Sequence, residues 1–101
     1  GLPITVVIDN NGGLDCISQQ QERLFANGKH FATDFRDIPF HTMFEGLGGY
    51  GELVTKREDI GPALRRAMKS GKTACINVKC KGVISPIVAA TSDKRDKASI
   101  E

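Results

Sequence analysis

Ile4-Thr5-Val6-Val7-Ile8 is a nearly continuous apolar run that passes without a break into Asp9-Asn10-Asn11-Gly12-Gly13. A half-solvated strand would alternate apolar and polar residues, so this run predicts a strand over residues 4 to 9 that is buried on both faces of a parallel sheet. Asn and Gly tolerate positive φ, and residues 10 to 13 therefore end the strand in a turn whose backbone can approach a ligand. Such a strand needs neighbours on both sides, yet only Gly1, Leu2 and Pro3 precede it and there is no initiator Met. The expectation is a piece of a larger polypeptide.

Downstream, strand and helix patterns alternate. Ile17, Gln21, Leu24 and Phe25 fall on one side at helical spacing, which predicts a polar helix over about 17 to 25. Residues 27 to 38 have no period and contain Asn27-Gly28, Asp34 and Asp37, the composition of a loop. A helix is expected near Asp37, with Pro39 in its first turn and Phe40, Met43, Phe44 and Leu47 as its apolar face, ending at Gly48-Gly49. The short strand Gly51 to Val54 follows, then Thr55 and Glu58, spaced as a capping box. Ile60, Ala63, Leu64, Ala67 and Met68 form a core-facing stripe that stops at Gly71, with Pro62 expected to kink the helix or loosen its first turn. Ala74 to Val78 is the last strand. Residues 1–80 thus read as one folded portion and 81–101, with Asp93-Lys94-Arg95-Asp96-Lys97, as an exposed tail or an arm across a partner.

Strands alternating with helices specify an α/β fold, a parallel sheet in a three-layer α/β/α arrangement with right-handed crossovers. The more apolar strands should be central, which leaves Gly51 to Val54, carrying Glu52, for the edge.

Composition narrows the function classes. The 101 residues amount to one domain at most, and the 40% hydrophobic and 26% charged fractions are those of a globular protein rather than a disordered chain. No apolar run approaches the roughly 20 residues that span a bilayer, which argues against a membrane protein. The net charge of +2, with scattered basic residues, argues against a nucleic-acid surface. Three cysteines, Cys16, Cys75 and Cys80, have no paired spacing, the usage of reduced thiols in a cytoplasmic protein.

Asn10, Asn11, Gly12 and Gly13 stand at the carboxyl end of a parallel strand, where open α/β sheets place their ligands. Amide and carbonyl oxygens there are hard donors suited to Mg²⁺, which often bridges protein to a diphosphate. The same residues also suit a plain strand-ending turn. Elsewhere, His30 reads as a residue of a solvated loop and His41 as one on a helix flank rather than as acid-base groups. Cys75 reads as a buried small hydrophobe, and Cys16 has no base beside it. Asp9 and Asp15 could reach a metal through water or simply cap and turn the chain. Lys94-Arg95-Lys97, broken by acidic residues, reads as solvated.

The run Val6-Val7-Ile8-Asp9-Asn10-Asn11-Gly12-Gly13-Leu14 resembles the closing half of the thiamine diphosphate motif, which begins Gly-Asp-Gly and ends with paired asparagines after an apolar strand. Phe44-Glu45-Gly46-Leu47-Gly48-Gly49-Tyr50-Gly51-Glu52-Leu53-Val54-Thr55, Ile60-Gly61-Pro62-Ala63-Leu64-Arg65-Arg66-Ala67 and Ser70-Gly71-Lys72-Thr73-Ala74-Cys75-Ile76-Asn77-Val78 resemble the helix, strand, helix and final strand of that family, in order. The likeness is strongest to the acetolactate synthase, glyoxylate carboligase and 2-hydroxyacyl-CoA lyase group. It implies the C-terminal portion of a thiamine diphosphate-binding domain. By that resemblance Asn10, Asn11, Gly12, Gly13 and Leu14 bind the cofactor: Asn11 gives a side-chain oxygen and Gly13 a backbone carbonyl to Mg²⁺, Asn10 helps shape the turn, and Leu14 with the segment through about Gln19 lies near the cofactor or over the active-site mouth.

The implied chemistry is that of the cofactor's thiazolium, which takes up a 2-oxo acid or acyl donor and passes a fragment to an acceptor. The sequence departs from the family pattern by lacking Gly-Asp-Gly, and with it the second metal ligand and the diphosphate cradle. It also lacks the separate domain whose glutamate activates the cofactor. No catalytic residue is therefore assigned, the chain alone is expected to be inactive, and its partners are expected to be the remainder of the enzyme and a second subunit. The alternative is a self-contained, noncatalytic α/β module that binds a partner protein or a small anion at the same strand end.

Overall fold

The computed structural model describes residues 1–25 and 27–90. Along the chain these form β1 (Thr5–Asn10), α1 (Asp15–Leu24), α2 (Phe40–Gly46), β2 (Tyr50–Val54), a 3-10 turn (Arg57–Asp59), α3 (Ile60–Ser70) and β3 (Ala74–Lys79). Two units share them: Gly1–Asn11 with Asp37–Lys81, and Gly12–Arg36 with the described residues from Gly82 onward.

The first unit is a parallel sheet in the order β1-β3-β2, with Thr5 and Tyr50 both opposite Ala74. Ala74, Cys75, Ile76 and Asn77 of β3 are all buried, so β3 is the strand with the two-sided burial expected of a central parallel strand. β2 lies at an edge, as its shortness and Glu52 suggested. β1 lies at the other edge, and Val6 and Val7 remain exposed. Its apolar run had pointed to a central, doubly buried strand. The correction has a plain cause: among the described residues β1 pairs with β3 alone.

Successive side chains on a strand point to opposite faces, and this assigns the layers. Ala74, Ile76 and Val78 join Val54, Tyr50, Ile60, Ala63, Leu64 and Ala67 in the core between the sheet and α3. Asn77 points the other way, toward α2, where its Nδ2 lies 3.3 Å from Nδ1 of His41. The unit is thus the three-layer α/β/α arrangement that the sequence pattern called for. Gly51 belongs to the α2 side as well, and a Cβ there would run into the carbonyl oxygen of His41. Its hydrogen is what lets α2 rest directly on the backbone of β2.

Several helix details differ from the periodic reading. Met68 is exposed although it continues the α3 stripe, and Met43 and Leu47 are exposed although they continue the α2 face. Spacing fixes a side of a helix but not how far the neighbouring sheet extends beneath it. The Thr55 and Glu58 capping box does not form; Lys56 precedes the 3-10 turn, with no side-chain cap. Pro62 sits in the first turn of α3, where its missing N–H has no intrahelical partner to lose. The tightened turn before α3 takes the place of a kink. Gly71 closes α3 in the left-handed region at φ 65°, its N–H donating to the Met68 carbonyl.

On the α3 side of β2, Tyr50 Oη donates to Glu52 Oε2 at 2.5 Å, and Arg66 of α3 pairs with both oxygens of the same carboxylate. Arg66, and secondarily Tyr50, hold the Glu52 carboxyl below its ordinary range. Lys79 pairs with Asp37.

In the second unit, α1 is the organising element. Gln19 donates to the Val83 carbonyl at 2.7 Å and accepts from Ser85 N–H at 2.9 Å, while Arg23 donates to the Val88 carbonyl at 2.7 Å. Val88 is buried, and residues 86–90 are helical. These contacts hold residues 83–88, part of the stretch expected as an exposed tail or an arm across a partner, against α1. Lys94, Arg95 and Lys97 lie outside the described residues.

Candidate cofactor-binding turn

β1 ends in Asn10, whose placement is fixed from two directions. Its backbone carbonyl accepts the Cys80 N–H at 2.9 Å, which continues the β1 and β3 ladder past its end. Its buried side chain donates from Nδ2 to the Ile38 carbonyl at 3.3 Å. Asn77 donates to that same carbonyl at 3.4 Å. Two amides from neighbouring strands thus secure the residue that leads into α2. Oδ1 of Asn77 is left as a buried acceptor with no partner among the described residues. Asn11, the last residue of the first unit, is exposed.

The second unit begins with Gly12, at φ 85°, where an L side chain would be strained. The following backbone is held by a short antiparallel bridge between Gly13 and Asp34. Phe35 N–H donates to the Gly12 carbonyl and Leu14 N–H donates to the Thr33 carbonyl, both at 2.7 Å. The approach is so close that a Cβ on Gly13 would lie 2.5 Å from the Thr33 carbonyl oxygen. Beneath the bridge, Ser18 of α1 donates from Oγ to Thr33 Oγ1 at 2.6 Å, with both residues buried. Leu14 itself precedes α1 and accepts the N–H groups of Ile17 and Ser18 at 2.9 Å each.

Thr33 and Ser18 are absent from the residues singled out by sequence, and Asp34 stands there only as a loop residue. A single-pair bridge has no repeat, and no signal within residues 27 to 38 marks Thr33.

Several of the remaining candidates have structural partners. His30 is the exception to a simple solvated loop: Nδ1 lies 2.7 Å from Glu22 Oε1 and Nε2 lies 2.9 Å from Asp34 Oδ2. The bond to Asp34, with the charge of Glu22 adding to it, raises the imidazole above its ordinary value. Cys75 is fully buried, and burial pushes its thiol up, as suits a small core residue. The Cys80 thiol is raised by its contact with Asp9, which favours the protonated form. Asp15 accepts from Gln19 Nε2 at 2.9 Å within the first turns of α1. Among the described residues no three His, Cys, Asp or Glu side chains gather to hold a metal ion. Mg²⁺ accepts amide and carbonyl oxygens as well, and those are what Asn11 and Gly13 offer. Among the described residues no helix is long and apolar enough to cross a membrane.

Comparison with known proteins points the same way as the motif. The family described as thiamine pyrophosphate enzyme, C-terminal TPP binding domain, matches residues 1–78. The chain is 39% identical over 72 residues to the acetolactate synthase large subunit of Corynebacterium glutamicum, covering 66% of this chain and 11% of that protein. It is 32% identical over 77 residues to a putative thiamine pyrophosphate-containing protein, YdaP, of Bacillus subtilis, covering 76% and 13%. To the sulfoacetaldehyde acetyltransferase of Alcaligenes xylosoxydans xylosoxydans it is 31% identical over 83 residues, covering 78% and 14%. The chain therefore spans only a small part of the length of these relatives. No solved structure matches it.

Proposed function

Because this chain belongs to the family of C-terminal TPP-binding domains of thiamine pyrophosphate enzymes, we propose that its Asn10 to Leu14 turn is one half of a clamp for Mg²⁺ and the cofactor diphosphate. In this reading Asn11 supplies its side-chain oxygen and Gly13 its backbone carbonyl to the metal. Asn10 and Gly12 shape the turn, and Leu14 lies beside the cofactor. The observation that carries the reading is an exposed Asn11 directly after a parallel strand, within a segment matched by the family. Neutral oxygen donors suit Mg²⁺, which keeps several positions for water and phosphate oxygens.

The whole enzyme is proposed to be a carboligase, lyase or decarboxylase acting on 2-oxo acids or 2-hydroxyacyl donors in the cytoplasm. Bound thiamine diphosphate would supply the thiazolium that carries the acyl carbanion equivalent. This chain's own part is to bind and orient. Residues 1–80 would form the C-terminal portion of the cofactor domain and 81–101 an arm, with the remainder of the enzyme and a second subunit as partners. The edge of β1 that no described strand pairs supports a neighbouring strand there, and the exposed Val6 and Val7, on its two faces, support further cover from the rest of the enzyme.

Calorimetry tests the reading. The chain alone should bind thiamine diphosphate with Mg²⁺ weakly or not at all. A polypeptide that joins it to a Gly-Asp-Gly strand should bind saturably and lose that binding in Asn11→Ala. Full affinity in Asn11→Ala would overturn the assignment.

A further inference from the structure

We propose that Thr33, held from below by Ser18, is a positioning residue that aims the Gly13 carbonyl outward from its own unit. The inference rests on the clamp reading above and assigns a role to residues outside the Asn10 to Leu14 motif.

The geometry follows from which backbone groups the bridge uses. In an antiparallel pair, the N–H and C=O of one residue point to the same side, and successive residues alternate sides. Here the bonds toward residues 33 to 35 are made by the Gly12 carbonyl and the Leu14 N–H. Gly13, between them and opposite Asp34, is the non-hydrogen-bonded member of the pair. Its carbonyl consequently points away from the bridge, where a ligand can reach it. Register therefore decides the matter: a slip that brought Gly13 itself into the hydrogen-bonded position would turn its carbonyl inward and present its neighbours instead.

Two observations show how that register is fixed. Thr33 presents its carbonyl to Leu14 and its hydroxyl to Ser18, so one residue ties the bridge both to the turn and to the first turn of α1. Ser18 Oγ also lies 3.3 Å from the Leu14 carbonyl, which closes the circuit through the helix start. The 2.5 Å that would separate a Gly13 Cβ from the Thr33 oxygen leaves room only for glycine, so the close approach needs both residues. Thr33 touches neither metal nor cofactor in this scheme. It acts through the backbone it holds.

The test uses the polypeptide that joins this chain to a Gly-Asp-Gly strand, and two readouts that need no catalysis. Amide exchange at Leu14 and Phe35 reports the bridge, with Ala74 in the first unit as the internal reference. Mn²⁺ at millimolar concentration, standing for Mg²⁺, reports the carbonyl through paramagnetic broadening of Gly13. Thr33→Val removes the hydroxyl at nearly constant shape and takes from Ser18 its partner at 2.6 Å; exchange at Leu14 and Phe35 should quicken about tenfold and the Mn²⁺ broadening at Gly13 should weaken. Thr33→Ser should restore both, and Ser18→Ala should reproduce the Thr33→Val effects if that variant fails to fold.

Unchanged exchange in Thr33→Val and Ser18→Ala would overturn the proposal, as would quickened exchange with undiminished broadening. A Gly13 signal that stays sharp in that polypeptide without substitutions would instead overturn the clamp reading, and the positioning role with it, whatever the exchange data show.

Discussion

Nε2 of His30 lies 2.9 Å from Oδ2 of Asp34, so the residue paired with Gly13 across the bridge is itself tied to an imidazole. The second ring nitrogen faces Glu22 of α1. Since the folded-state value of His30 is raised above 6.5, the stabilisation it provides is fully present below that value. It is lost as pH rises through the higher folded-state one. An NMR titration of the His30 ring should give a midpoint above 6.5. Asp34→Asn should lower it more than Glu22→Gln, because the Asp34 bond is the larger cause. A midpoint unmoved by Asp34→Asn would contradict the pairing.

The opposite sign holds for Glu52. Arg66 and Tyr50 depress its value below the ordinary 4.5, so its contribution is present above that pH and disappears as pH falls through the depressed one. Carboxyl shifts followed in acid should show Glu52 titrating late. Replacing Arg66 by Met should bring its midpoint up, and the shift should shrink in high salt because the pair is partly solvent-exposed.

Two glycines separate space from propensity. Gly51→Ala drives a methyl into the His41 carbonyl, so α2 must lift from β2, and a loss on the scale of overpacking, about 1–3 kcal/mol, is expected in urea denaturation. Gly46→Ala, at the end of α2 with nothing within 4 Å of the added carbon, should be neutral or stabilising by up to about 1 kcal/mol. Equal effects at the two positions would refute the close contact.

Ile76 is the largest fully buried side chain and sits at the centre of β3. Ile76→Val should cost about 1 kcal/mol and Ile76→Ala about 2–5 kcal/mol, the second enough to abolish cooperative unfolding in a chain this small. A sharp, unshifted transition for Ile76→Ala would place the core elsewhere.

How much was legible in the sequence follows from which signals repeat. Ile60, Ala63, Leu64 and Ala67 recur at helical spacing and stop at Gly71, and β2, α3 and β3 were readable from them and their flanks. The same rule overreached at Met43, Leu47 and Met68, where the spacing continues but no described neighbour covers the side chain. Strand order was less legible: the run Ile4 to Ile8 is as apolar as β3, and burial on both faces depends on partners the run itself does not encode. The glycine turn announced itself through Asn10 to Gly13. Its supports, Thr33 and Ser18, did not, because a lone hydroxyl pair fifteen positions apart in the chain has no period and no composition.

The sheet register has one more consequence, for the order in which the molecule assembles. β2 and β3 are joined through the 3-10 turn and α3, whereas the residues of β1 meet their β3 partners across roughly 70 positions of chain, a closure with the higher entropic cost. The β2-α3-β3 segment is thus the natural first piece to form, and β1 the last strand to dock and the first to leave. The candidate turn hangs from that last strand, so its formation is tied to the completion of folding.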